Sequence, residues 1–398
     1  MNRDVDSSDF LVRPELLGVP LSTNISASPQ HFSTPTPGAP NSAEILGLVG
    51  DPLFSVERGY YNAPFPVSIT TLTAQAAIYV TVDSSDPSPT NGTLYTQAMV
   101  ISNTTILRAA AFRASYQSSD ISTHTYIFLD DVIHQTGVGR PDPPDPATSD
   151  WSYEMDPDIV QDLRFSQHMT NALLSLPALC LALPDDALWG TNGIYANPDQ
   201  FGFDWERACA IELISADGKD DFQANAGLRI QGAGSRFRNI GKKSMRLAFR
   251  ERYGDTRLEE PFFPDADVAS FDAITLRGNY FDSWTVHAAG NGETIGRLAA
   301  LQFRDAFARR THADMGRHAI QDRWVHLYLN GVYWGIYNAT ERPDQEFAAD
   351  YFGGTPEDYD ILKQRPLGTA NGSPPEIVNG DLSAWNELIT LVKSDTTD

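Results

Sequence analysis

Trp324–Asp344, WVHLYLNGVYWGIYNATERPD, decides how the second half of this chain is read. Asn330-Gly331 sits between two runs rich in β-branched and aromatic residues. A type I′ turn needs φ > 0 at both central positions, so this pattern predicts a β-hairpin. A two-residue turn then sets the register. Leu329 faces Val332, Leu327 faces Trp334 and Val325 faces Ile336 on one apolar side. Tyr328 with Tyr333, His326 with Gly335 and Trp324 with Tyr337 form an aromatic, hydrogen-bonding side. The second strand runs into Asn338-Ala339-Thr340-Glu341-Arg342-Pro343-Asp344, where polar residues gather and Pro343 can begin a helix. Two readings stay open: a plain core hairpin, or a ribbon whose polar end lines a site.

The 398 residues allow two or three domains with real cores, and 41% apolar with 20% charged residues is ordinary for globular protein. No apolar run approaches the roughly 18–20 residues of a membrane span. With 29 Lys and Arg against 52 Asp and Glu, net charge is −23, which disfavours nucleic acid and anionic membranes as partners. Cys180 and Cys209 are expected as two buried free thiols, with one disulfide as the alternative; a cysteine-based zinc site is excluded. The start, MNRDVDSSDFLV, has no basic-then-apolar signal. That leaves a cytoplasmic location, or a start that is not the natural one.

Residues 1–50 are rich in Ser, Pro and Thr and read as a linker or the tail of an upstream domain. Residues 51–132 hold short strands separated by turns, such as the alternating Ile78-Val80-Val82 run, and predict a small antiparallel sandwich. Residues 133–152 contain the proline-stiffened RPDPPDP linker (140–146). From 153 to 398 the pattern turns to α+β. Helices are expected over Asp158–Leu176 and over a long Glu293–Met315 stretch in which Ile295, Leu298, Ala299, Gln302 and Phe307 share a stripe. Strands are expected at 178–183, 208–215 and then in NAGLRIQG, KSMRLAFRE and DAITLRG. A short helix follows Pro343, and an amphipathic segment covers Ala384–Val392.

Arg229–Arg252, RIQGAGSRFRNIGKKSMRLAFRER, reverses the charge of the chain: eight cations against Glu251 alone. Gly232, Gly234 and Gly241 let backbone N–H groups approach an anion. In the strand that follows, Met245, Leu247 and Phe249 fall on one face. Lys242, Ser244, Arg246 and Arg250 fall on the other. Lys242 and Arg246 would therefore project together, spaced to grip a polyphosphate. Lys243 falls on the apolar face. The competing reading is a solvated basic loop that balances an acidic surface. No phosphate-loop motif GxxxxGK followed by Ser or Thr is present, nor GxGxxG. Arg277 either joins this site or pairs with an acid. Asp265 and Asp267 are read as a polar turn rather than metal ligands, and no histidine spacing suggests zinc. Glu341 would either cap the next helix or touch a ligand.

Three resemblances follow from these motifs. STPTPGAPN (33–41) resembles the closing stretch of lamin-tail-like domains in large bacterial surface proteins. IYVTVDSSDPSPTNGTLYT with ILRAAAFRASYQSSDISTHTY resembles the fibronectin-like chitobiase/β-hexosaminidase C-terminal domain, an accessory module that implies possible glycan or cell-envelope contact. GLRIQGAGSRFRNIGKKSMRLAFRERYG, EEPFFPD, FDAITLRGNYFDSW and VHLYLNGVYWGIYNATERPDQEFAADYFGG together resemble the CotH (spore-coat protein H) kinase-like family over roughly 155–365. That resemblance implies an α+β atypical protein-kinase-like fold. It further implies ATP and Mg²⁺, transfer of phosphate to serine in a coat or surface protein, and a secreted or cell-surface location. Lys242, Arg246 and Arg236 would then be cofactor-binding, and Glu341 would stand near an inter-lobe hinge. Phosphoryl transfer needs carboxylates to orient the nucleophile and hold metal. The acids after Tyr359 form no such cluster, so the chain is expected to be truncated at its C-terminus, with catalytic residues unassigned. The alternative is a non-catalytic structural or adhesive surface protein.

Overall fold

A computed structural model of the chain describes residues 31–32, 44–140, 153–232, 236, 241–279, 282–283, 300–363 and 375–395. Asn330 and Gly331 take φ of 48° and 78°, as the turn requires. Seven strands close into a barrel: β1 Ala178–Ala182, β2 Arg207–Ile214, β3 Phe222–Ile230, β4 Met245–Ala248, β5 Ala273–Arg277, β6 Asp322–Leu329 and β7 Val332–Glu341. Their order is β1-β2-β3-β4-β5-β7-β6, and neighbours run antiparallel except where β6 returns to β1. That closing ladder is parallel, from Ala178 opposite His326 to Leu181 opposite Leu329. Asn330 secures it: its side chain accepts from Leu183 N at 3.1 Å and donates to Leu183 O at 2.8 Å and Asp185 Oδ1 at 2.6 Å.

Period-two alternation fills the barrel. Leu181, Ile211, Leu228, Leu247, Leu276 and Leu327 point inward and are at most 2% exposed. The second domain was expected as α+β and kinase-like; its described residues make this barrel, with short helices around it. Two expectations about helices change. The helix over Asp158–Leu176 is three short pieces, Pro157–Val160, Leu163–Ser166 and Met169–Leu173. Asp156 and Asp162 each cap a new start, and Leu163 is left 82% exposed. Of the helix expected from Glu293, residues 293–299 lie outside the described residues. The described helix, α1, spans Arg304–Asp314. Gln302 at φ 63° cannot continue a helix, and Phe307 is 68% exposed rather than part of a buried stripe. The helix after Pro343 (α2, Gln345–Phe352) and the last one (α3, Ser383–Asp395) form as expected.

The hairpin register is correct only next to the turn. Leu329 pairs with Val332 and Tyr328 with Tyr333, but Leu327 then pairs with Gly335 rather than Trp334. Trp334 is an extra residue, a β-bulge, relieved by Gly335 at φ 107°. Beyond it every expected pair moves: His326 faces Ile336, Val325 faces Tyr337 and Trp324 faces Asn338. The cause is packing. Trp334 belongs inside with Trp189 and Tyr195, ring centroids 5.1 and 5.6 Å away. The bulge lets it stay there and turns Tyr337 and Ala339 inward as well, both fully buried.

Residues 53–128 form the sandwich. Its larger sheet is antiparallel apart from one parallel edge, where Gly59–Tyr61 lies beside Tyr126–Phe128. Strand Ser122–Phe128 sits against the outside of β2 and β3. Glu212, 1% exposed, accepts from Thr125 N at 3.0 Å and from the Thr125 hydroxyl, and pairs with Arg58 at 3.3 Å. Gln223 accepts from Thr123 N at 2.6 Å. Cys180 and Cys209 are buried free thiols. Removing one partner of a buried charge cluster strands the others. Glu212→Ala is therefore expected to cost roughly 3–5 kcal/mol and Glu212→Gln less. All seven tryptophans lie at or after Trp151. Tryptophan fluorescence thus follows the second domain, while circular dichroism follows both. The two urea transitions should coincide in the parent protein and separate in Glu212→Ala.

Candidate functional site

On the outer face of the barrel the registers of five strands place one transverse row: Arg229, Arg246, Thr275, Thr340 and Asp322, each opposite the next. Two arginines directly opposite each other repel, so this arrangement calls for neighbouring anions. Glu206, 5% exposed, supplies some: it holds Arg250 at 3.0 Å and Arg229 at 3.5 Å. Arg342, at the end of β7, reaches Asp344 at 2.5 Å and Gln231 at 3.4 Å. Arg246 is the exception. It is 8% exposed and its Nε is buried without a partner. Its nearest carboxylate, Asp272, is 3.7 Å away, beyond hydrogen-bond reach. Burial first, then the charges of Arg342 and Arg229, push its pKa down to about 10. Burial and the neighbouring Asp344 raise the Asp272 carboxyl to about 6.

Two cavities flank this row. The larger, about 1300 Å³, lies between the barrel face, α2 and the strand at Ile361–Lys363, with Arg229, Arg236, Glu341 and Arg342 in its walls. The smaller, about 530 Å³, has Arg246 and Asp272 in its walls. Arg229, Arg342 and Asp344 border both.

The residues expected to act together are thereby separated. Arg236 and Glu341 border the large cavity and Arg246 the small one. Lys242 borders neither, and does not project with Arg246. Its Nζ lies 5.0 Å from the ring of the buried Tyr337, on the barrel's inner side, and burial lowers its pKa to about 8. Alternation fails there because β4 starts only at Met245, after a bend at Gly241 and Lys242. Lys243 is buried at 2% exposure, in keeping with its apolar-face position. Arg236 donates to Gln200 O and lies over Phe201. Arg277 pairs with Asp305, as one of its two readings had it.

Glu341 does not cap the next helix, and it borders the large cavity. Asp344 makes the cap, accepting from Phe347 N. Glu341, 4% exposed, accepts from Gln321 N at 2.7 Å and Tyr351 Oη at 2.9 Å, which ties α2 to the barrel. Arg342, Asp344 and Asp272 carry no sequence signal of their own, and Arg229 stands out only as one of the eight cations in Arg229–Arg252. Only alternation could have shown Arg229 on the same outer face as Arg246. Among the described residues no group of three or more His, Cys, Asp or Glu stands together to hold a metal, so they do not by themselves form a seat for Mg²⁺. No helix among them is long and apolar enough to cross a membrane.

Fold and site thus define a β-sandwich module attached to a barrel with an arginine-lined outer face. Residues 228–376 match the family model CotH kinase protein, and residues 67–126 match Fn3 associated. The chain carries a CotH domain preceded by a fibronectin-like module, in the order its motifs led one to expect. The CotH match opens at Leu228 within β3, so β1 and β2 lie ahead of it. No curated protein matches the chain.

Burial raises the Glu341 carboxyl from 4.5 to about 7. The folded state therefore keeps this proton longer than the unfolded chain does, and the group's contribution to stability falls as pH rises from 4.5 to 7. Glu341→Gln should remove that slope, which is worth roughly 1–3 kcal/mol over the interval. Urea unfolding of parent and variant at pH 4.5, 6 and 7.5 measures the difference. Tyr351→Phe should weaken the tie between α2 and the barrel by about 1 kcal/mol at either end of the range.

Proposed function

We propose that the large cavity is a nucleotide site and that the protein is a CotH-type phosphotransferase acting at the cell exterior. In this reading ATP is the donor and a serine hydroxyl of a coat or surface protein is the acceptor. Arg229, Arg236 and Arg342 would contact the phosphates, because guanidinium forks match phosphate oxygens and these three border one cavity. Phe347, Ile361 and Leu362 offer apolar walls for a base. The observation that carries the reading is that Arg229, Arg236 and Arg342 border one cavity inside the CotH match. Burial first, against the pull of Glu206, and then the charges of Arg250 and Arg342 hold the Arg229 pKa down. Mg²⁺, which the family resemblance implies, would supply charge neutralisation at the transferring phosphate. Secretion and an envelope contact through the sandwich belong to the same proposal.

The second reading is a structural or adhesive surface protein in which the same fold binds a partner without turnover. It is favoured by how many of the arginines are already paired, Arg250 with Glu206, Arg257 with Asp350 and Arg342 with Asp344.

ATP is expected to raise the melting temperature of the parent protein. Arg229→Ala and Arg342→Ala should each weaken ATP binding about tenfold or more, roughly 1.4 kcal/mol. Lys242→Ala, which changes a residue bordering neither cavity, should leave it within twofold. ATP shifts that survive both arginine changes sink the nucleotide site. ATP binding without phosphate transfer from labelled ATP to any serine-containing surface protein favours the second reading.

A further inference from the structure

The smaller cavity has features that the nucleotide reading leaves unused. Arg246 sits in its wall, more than nine-tenths buried, and among the described residues its guanidinium makes no hydrogen bond. A buried cation without hydrogen-bond partners is costly, and the usual resolution is an anion held against it. Its neighbours fill that role only in part. Arg250 and Arg257, also in the wall, are paired with Glu206 and with Ser270, Glu346 and Asp350. Asp272 makes an ion pair with Arg246 at 3.7 Å but no hydrogen bond. Across the ladder Arg246 faces Arg229, a second cation, rather than an acid.

We propose that this cavity is a second oxyanion subsite, in which Arg246, backed by Arg229 and Arg342, receives a phosphate monoester or free phosphate. The number of cations favours phosphate over a carboxylate. Arg229 and Arg342 border the same cavity as Arg246, so three guanidiniums can share the charge and the oxygens of one phosphate group. About 530 Å³ also exceeds what a bare ion fills and leaves room for the residue that would carry it. The site stands on the geometry of Arg246. Only the identity of its natural occupant rests on the phosphotransferase reading, under which an acceptor chain already phosphorylated at a neighbouring serine would dock here.

Asp272 tunes the subsite. It faces Arg246 on β4, Arg257 on the following loop, and Asp344 and Glu346 at the start of α2. As a carboxylate it competes with the ligand for Arg246. A phosphate monoester takes up its own second proton at about pH 6, so this competition is read at pH 8, where both are charged.

The test titrates the full chain with inorganic phosphate, with a serine peptide and with its phosphoserine form, following heat by calorimetry at pH 5.5 and 8. Phosphate or the phosphopeptide should bind, and Arg246→Met should weaken that binding at least tenfold while ATP binding changes less than twofold. Asp272→Asn should tighten it several-fold at pH 8. Tighter binding of the phosphopeptide than of phosphate identifies a phosphorylated chain as occupant. Equal binding identifies the free ion. The proposal is overturned if neither binds, if Arg246→Met leaves binding unchanged, or if phosphate merely competes with ATP at one site. Loss of ATP binding alone, with the phosphate response intact, would remove the nucleotide reading and leave the subsite standing. Circular dichroism melts of both variants exclude unfolding as the cause of any loss.

Discussion

The side chain of Asn330 is the contact on which the barrel depends. Its backbone makes the left-handed turn between β6 and β7, and its amide grips both the N–H and the carbonyl of Leu183, just past β1. One residue thus sets a local turn and joins segments about 150 positions apart. Glycine would make the same turn without the grip, and aspartate could accept but not donate. At 5% exposure the amide works in a low-dielectric setting where each unmade bond would be expensive. With β1 held to β6, the sheet has no free edge and the alternating residues of all seven strands must choose inside or outside.

Closure explains where the charge lies. A core that admits leucine, isoleucine and aromatic rings expels Arg229, Arg246 and Arg342 to the outer face, and the registers then line up the first two. In a chain of net charge −23 the acids needed to neutralise them are plentiful, and several come from distant segments: Glu206 before β2, Asp272 before β5, Asp344 after β7. Arg246 stands apart because its strand partner is another arginine and its nearest acid does not reach.

The bulge at Trp334 matters to the other side of the sheet. It lets three consecutive inward positions, Val332, Trp334 and Tyr337, break strict alternation and still fill the barrel. Tyr337 then donates to Lys243 O at 3.0 Å and offers its ring to Lys242. The same insertion changes the phase of the strand end, so that Thr340 lies on the outer face in the arginine row and Glu341 points into the seam below α2.

The sequence determined a good deal unaided. The Asn-Gly turn, the strands at 208–215, 225–230, 245–248 and 273–277, the helix after Pro343 and the small antiparallel sandwich of the first domain were all legible. Each depends on short-range periodicity or on a turn residue whose φ is fixed by its own chemistry. The charge reversal in Arg229–Arg252 was legible too, and so was the inward position of Lys243. Tertiary structure alone decided three things. It placed the bulge, because the Tyr153, Trp189 and Tyr195 rings, from segments outside the hairpin, receive Trp334 inside. It separated Lys242 from Arg246, because strand alternation holds only where a strand exists, and β4 begins at Met245. It brought Arg342, Asp272 and Asp344 to Arg229 and Arg246, because pairing across β3, β4, β5 and β7 links residues whose separation along the chain carries no period.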